Sequence, residues 1–412
     1  MIISDKQFTV NGTNYAPAKK PIVVICIDGC ADEYLDTTLA FNRMPNLERM
    51  ATTGYRGMVR GALPSFTNVN NSSIVTGVSP AVHGISGNFF YDAEKDQEVM
   101  MNSAEYLRAE TILAAASNSG RKVAVVTAKE KLRDILSHKM KGIAFSAEKA
   151  NQAKKETHGI DNVEELTGYA TPAIYSADAS LFVLRAGSAL IEKGLADFLY
   201  LSLTDYMQHT YSPEAEESLA FYEAMDVEIG KLLQLGAIVG ATADHGMNAK
   251  IKSDGSPNVL FVEDILEEKF GDGFRVICPI TDPYVKHHGA LGSYVVVHLN
   301  DKSITEEVKN WLVLQRGITE VHDKTTAVAL LEQPEDRIGD LVVLSGRDVV
   351  VGRRPQYHDL SALDGTLRSH GGRYEEMVPM IISHPLNAEY KMKAAADPRN
   401  FDIFDFTING TN

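Results

Sequence analysis

With 412 residues, 44% of them hydrophobic and 23% charged, the chain is long enough for a large core and more than one domain, and its composition is that of an ordinary globular protein. A net charge of −15 argues against a nucleic-acid backbone or an anionic membrane as the main partner, so a bound anion would need metal ions or clustered Lys and Arg to reverse the local field. Three cysteines, Cys26, Cys30 and Cys278, form no Cys-x-x-Cys pair and indicate neither a disulfide framework nor a thiolate zinc site.

The first twenty residues carry no secretory apolar core and no later run approaches a membrane span, so the expected location is cytoplasmic. Residues 7–16 alternate around Asn11-Gly12, a dipeptide suited to a type I′ hairpin turn. The string FTVNGTN at 8–14 returns as FTINGTN at 406–412; two similar edge hairpins, or chance, account for it equally well. From residue 22 a β-branched run to Ile27 ends in Asp28-Gly29, the pattern of a strand buried on both faces of a parallel sheet. A helix over 46–54 follows, closed by Gly54. The unit then recurs: a helix over 109–119 with a strand at 123–127, and a helix over 180–193 with a strand at 198–203 just before Asp205. A third repeat has a helix over 214–234 and a strand over 237–243 that ends at Asp244-His245-Gly246. This alternation predicts a doubly wound, mostly parallel α/β sheet.

Residues 256–365 break the rhythm with short strands and helices bounded by Gly and Pro, which predicts an inserted α+β cap domain. Sheet-like sequence resumes at 378–382, after Ser369-His370-Gly371-Gly372. The expected division is a catalytic core of 1–255 with 366–412 and a cap of 256–365, with Asp244-His245 and His370 at the roots of the cap.

Ligands of open α/β sheets bind beyond the carboxyl ends of the strands. Asp28, Asp205 and Asp244 each follow a predicted strand and should meet at that edge; His245 adjoins Asp244, and His209 lies one helical turn after Asp205. Carboxylate and imidazole without thiolate suit Zn²⁺, and also Mn²⁺ or Fe²⁺. Thr67, in Pro64-Ser65-Phe66-Thr67-Asn68, is expected on an exposed turn, where its alcohol would need activation to act as a nucleophile. Lys129 and Lys131 follow the strand at 123–127, and in an extended segment both would face the same edge.

In order, Asp28-Gly29, Pro64-x-x-Thr67-Asn68, Thr76-Gly77, His83-Gly84, Asn88-x-x-Tyr91-Asp92, Asp205-x-x-x-His209, Asp244-His245-Gly246 and His370-Gly371 resemble the alkaline phosphatase superfamily. They are most similar to its nucleotide pyrophosphatase/phosphodiesterase branch, over most of 21–250 and 366–385. The resemblance implies two zinc ions, one held by Asp205, His209 and His370 and the other by Asp28, Asp244, His245 and Thr67, with Thr67 as nucleophile and Asn88 on a phosphoryl oxygen. Within the branch the sequence is similar to the phosphonoacetate hydrolases, in which lysines at the positions of Lys129 and Lys131 hold the substrate carboxylate. That likeness implies hydrolysis of a carbon–phosphorus bond through a phosphothreonine, with a small anion as partner; the alternative is a phosphodiesterase or phosphomonoesterase with the same metals. Arg368 and His287 or His288 are further candidates for substrate contact, and a homodimer is compatible with the sequence but not specified by it.

Overall fold

The computed structural model describes residue 3 and residues 6–282, 288–361, 363 and 366–411. Its centre is a seven-stranded sheet of β1 (Ile22–Cys26), β2 (Tyr55–Arg60), β3 (Val123–Thr127), β4 (Gly142–Ser146), β5 (Phe198–Ser202), β6 (Ile238–Thr242) and β7 (Met377–Ile382). The strand order is β2-β7-β6-β1-β5-β3-β4; β7 pairs antiparallel with β2 and with β6, and the other pairings are parallel. Every residue of β1, β3, β5 and β6 is buried. Such strands need cover on both faces, which is why they read as continuous apolar runs. One packed group of helices contains α1 (Pro45–Thr53), α5 (Ala177–Glu192) and α6 (Glu216–Gln234); another contains α2 (Thr67–Thr76), α3 (Ile112–Asn118) and α4 (Glu130–Leu136).

The Asn11-Gly12 turn joins Phe8–Val10 to Thr13–Tyr15 with both residues left-handed (φ 47° and 86°), as a type I′ hairpin requires. The similar string at the C-terminus is no hairpin: Ile403–Ile408 is a helix. There Phe404 stacks on Phe198 at 5.5 Å, so burial against the sheet overrides the local turn chemistry. The two strings nevertheless meet, because the Asn409 side chain accepts from Ala16 N–H and donates to the Asn14 carbonyl.

Within 256–365 a four-stranded antiparallel sheet has the order Phe274–Ile277, Tyr294–Leu299, Leu341–Ser345, Ile318–Asp323, with helices Thr305–Leu312 and Lys324–Leu330 against it. Its apolar cluster continues into Leu63, Phe66 and Val69, the segment that carries Thr67. Asn248–Ala249 pairs antiparallel with Arg368–Ser369 and joins the chain on either side of 256–365 next to His245 and His370. Among the described residues no helix is long and apolar enough to cross a membrane.

Candidate active site

The sheet order makes the site. β6, β1, β5 and β3 are consecutive neighbours, and the register aligns Thr242, Cys26, Ser202 and Thr127 across them. Two or three residues beyond this row stand Asp244, Asp28, Asp205 and Lys129. Strands about 4.8 Å apart thus bring four groups that are remote in the chain into one buried row at the carboxyl edge.

The row and its histidines resolve into two sets, Asp205 with His209 and His370, and Asp28 with Asp244 and His245, and within each set the candidate ligand atoms lie within 4.8 Å of one another. His209 reaches Asp205 because both belong to the turn of helix Tyr206–Thr210, with Nε2 2.9 Å from Oδ2. Each imidazole turns Nδ1 to a backbone carbonyl: His209 to Arg368 at 2.8 Å, His245 to Gly246 at 2.9 Å and His370 to Ser65 at 2.7 Å. A carbonyl only accepts, so each Nδ1 carries a proton and each ring turns its Nε2 into the site. Neither carboxylate oxygen of buried Asp28 accepts a hydrogen bond. Burial and the facing Asp28 push the Asp244 carboxyl well up. Burial opposes charge on His245, yet Asp244 and Asp28 raise it to about 9. Burial, with His245 and His209 beside it, pushes His370 well down. Three buried carboxylates and three imidazoles with their tautomers set from outside fit a pair of divalent cations.

Thr67 is not on an exposed turn. It is the first residue of α2, 5% exposed, with Oγ1 3.4 Å from His245 Nε2. Every residue of α2 is buried, so a polar helix has been drawn inside to meet the acidic row. Asn88 lies against the same turn and accepts from Asn68 N–H at 3.1 Å. Asn71 went unnoticed in the sequence. Its Nδ2 donates to Asp244 Oδ2 (3.2 Å) and to the Thr67 carbonyl (3.1 Å), while its Oδ1 accepts from Tyr200 (2.7 Å) and Ser202 (3.0 Å). The only hint was an Asn-rich stretch, Asn68-Val69-Asn70-Asn71, inside what proves to be a helix.

Lys129 and Lys131 do not share an extended segment. Lys129 is extended at the N-cap of α4, and Lys131 lies in its first turn. They still border one cavity of about 540 Å³, together with Asn102, Glu148, Tyr175 and Asp282. Lys129 Nζ is 2.9 Å from Asp205 Oδ1, and Lys131 pairs with Asp282. Burial works against the Lys129 charge, but Asp205, Asp28 and Asp282 outweigh it and raise its pKa.

Arg368 turns away from the cavity: its guanidinium donates to the Gln208 carbonyl and the Tyr34 hydroxyl, and its own carbonyl holds His209. His288 is buried with its ring 5.4 Å from that of His209, and burial brings it down to about 3. His287 lies outside the described residues.

Fold and site together define a hydrolytic enzyme acting on phosphorus compounds, of the alkaline phosphatase superfamily. Residues 22–373 match the family described as type I phosphodiesterase / nucleotide pyrophosphatase. Phosphonoacetate hydrolase from Sinorhizobium meliloti 1021, solved in complexes with phosphonoformate and with phosphonoacetate, is 43% identical over 100% of both chains with a TM-score of 0.93. Venom phosphodiesterase from Naja atra is 32% identical over 112 residues, which span 26% of this chain but only 13% of that protein. Murine ectonucleotide pyrophosphatase/phosphodiesterase 5, at 15% identity over 94% of each chain and a TM-score of 0.64, shares the fold. The chain belongs to the type I phosphodiesterase / nucleotide pyrophosphatase family and, within it, to the phosphonoacetate hydrolase group.

Proposed function

We propose that this chain hydrolyses the carbon–phosphorus bond of phosphonoacetate to acetate and phosphate through a phosphothreonine at Thr67. One observation carries the reading: the buried Lys129 ammonium joins the acidic row through Asp205 and, with Lys131, borders the adjacent cavity. The full-length likeness to an enzyme solved with phosphonoacetate supports it. The core of 1–255 with 366–412 carries the chemistry, and 256–365 caps it. Three free, buried cysteines suit work in the reducing cytoplasm.

One cation site is Asp205, His209 and His370; the other is Asp28, Asp244 and His245 with the Thr67 oxygen. Zinc suits these donors, with Mn²⁺ or Fe²⁺ as alternatives, and the bound pair supplies an acidified alcohol and positive charge for the phosphonate. Thr67 Oγ gives its proton to water as it attacks phosphorus, and Asn88 faces a phosphonate oxygen. As the P–C bond breaks, its electron pair flows into the carboxymethyl group as an enolate, whose charge falls at the carboxylate end. Lys129 and Lys131 hold that end, where their charge counts most as the bond opens. A proton from water completes acetate. A second water then cleaves the phosphothreonine, which releases phosphate and restores the hydroxyl.

The test is metal analysis together with turnover of phosphonoacetate, an aryl phosphate and a nucleotide diester. Phosphonoacetate should be strongly preferred, and Thr67→Ala should retain metal yet form no phosphoenzyme. A preference for a diester would replace this reading with a phosphodiesterase. Undiminished turnover by Thr67→Ala would remove the nucleophile assignment.

A further inference from the structure

The insert stretch 279–282 touches both ends of the site. The Pro279 carbonyl accepts from Asn88 N–H at 2.8 Å, and the Ile280 carbonyl accepts from Asn88 Nδ2 at 3.4 Å. Gly87 permits this approach, since a Cβ there would stand 2.6 Å from Pro279 Cβ. A turn closed by Thr281 N–H on the Cys278 carbonyl at 2.9 Å then brings the chain to Asp282. The Asp282 side chain is 1% exposed and pairs with Lys131, itself 13% exposed, across the cavity that Lys129 also lines.

A carboxylate this deeply buried is tolerated only beside a cation. Lys131 has a long flexible stem, and its ammonium carries three donors. One donor can stay on Asp282 while the others meet a second carboxylate. We infer that Asp282 is a positioning residue for Lys131, holding its ammonium at a distance from Asn88 fixed by the 279–282 stretch so that it receives the substrate carboxylate without first being ordered. The inference rests on the reading of Lys131 as a carboxylate clamp.

The experiment compares kcat/KM for phosphonoacetate with the competitive Ki of inorganic phosphate, which lacks the carboxylate arm, in metal-loaded enzyme. Asp282→Ala should lower kcat/KM about tenfold, mainly through KM, since a flexible side chain must then be ordered on binding. The phosphate Ki should stay within about twofold, because phosphate makes no use of the clamp. Asp282→Asn, which keeps an oxygen acceptor in place, should recover most of the loss. Equal changes in both constants, or an Asn variant no better than Ala, would overturn the inference. Lys131→Ala runs in parallel: if it spares phosphonoacetate, the clamp itself fails and the inference with it. If Lys131→Ala is damaged while Asp282→Ala is not, only the inference is lost. Should Asp282→Ala not fold, Asp282→Glu, which moves the carboxylate by one methylene, decides by the same two constants.

Discussion

Asn71→Ala tests whether the buried helix and the acidic row act as one unit. The substitution removes four hydrogen bonds and leaves the Tyr200 and Ser202 hydroxyls and one Asp244 oxygen facing a void. A buried polar group that loses its partner costs about 1–3 kcal/mol, so three such groups at the lower end amount to about 3 kcal/mol. Spread over the 412 residues of the chain, that lowers Tm by roughly 3–4 °C. Asp244 also loses the amide that orients it, and the loss of such an outer partner typically weakens metal affinity about 10- to 100-fold. Scanning calorimetry of the metal-loaded protein reads the first quantity, and titration against a competing chelator reads the second. A Tm within about 1 °C of wild type and unchanged metal affinity would refute the assigned coupling between α2 and Asp244.

Lys129→Ala should reduce turnover of phosphonoacetate about 30- to 160-fold, the equivalent of a charged hydrogen bond of about 2–3 kcal/mol, and reduce aryl phosphate turnover far less. Equal losses, measured by phosphate release, would count against the carboxylate role. Stripping the protein with a chelator should lower Tm and abolish activity, with both restored by two equivalents of zinc per chain; ligand present at about a thousandfold over Kd stabilises by about 4 kcal/mol. Elemental analysis after desalting checks the stoichiometry. Where Ile318–Asp323 meets Arg373, the hydrogen bond from His322, with Arg373 beside it, holds the Glu320 carboxyl at about 2. Its folded-state pKa lies below the ordinary 4.5, so its stabilisation is present above about pH 4.5 and lost as pH falls toward 2. Glu320→Gln should therefore melt below wild type at pH 7, with the gap narrowing below about pH 4.5 and closing only toward pH 2 in a series of thermal melts.

Much of the fold is readable from local pattern. The runs behind β1, β3, β5 and β6 are apolar at every position because both faces are covered, and the Asn11-Gly12 hairpin follows from two residues that tolerate positive φ. Thr67 read as exposed because Pro64, Ser65 and Asn68 look like loop residues, whereas the helix they introduce is buried by groups far away in sequence. Lys131 read as extended because nothing in Lys129-Glu130-Lys131 marks the start of α4. The second Phe-Thr-x-Asn-Gly-Thr string read as a hairpin candidate, yet Phe404 and its neighbours gain more by packing under the sheet as a helix.

By itself, the order of residues specified which strands are buried and that three of them run directly into an aspartate, since both properties depend on neighbours within a few positions. Tertiary structure alone set β6, β1, β5 and β3 side by side, drew Thr67 inside and carried Asp282 to Lys131. Strand order depends on how long crossovers pack against a shared core, and periodicity within a segment holds no information about which other segment will lie next to it.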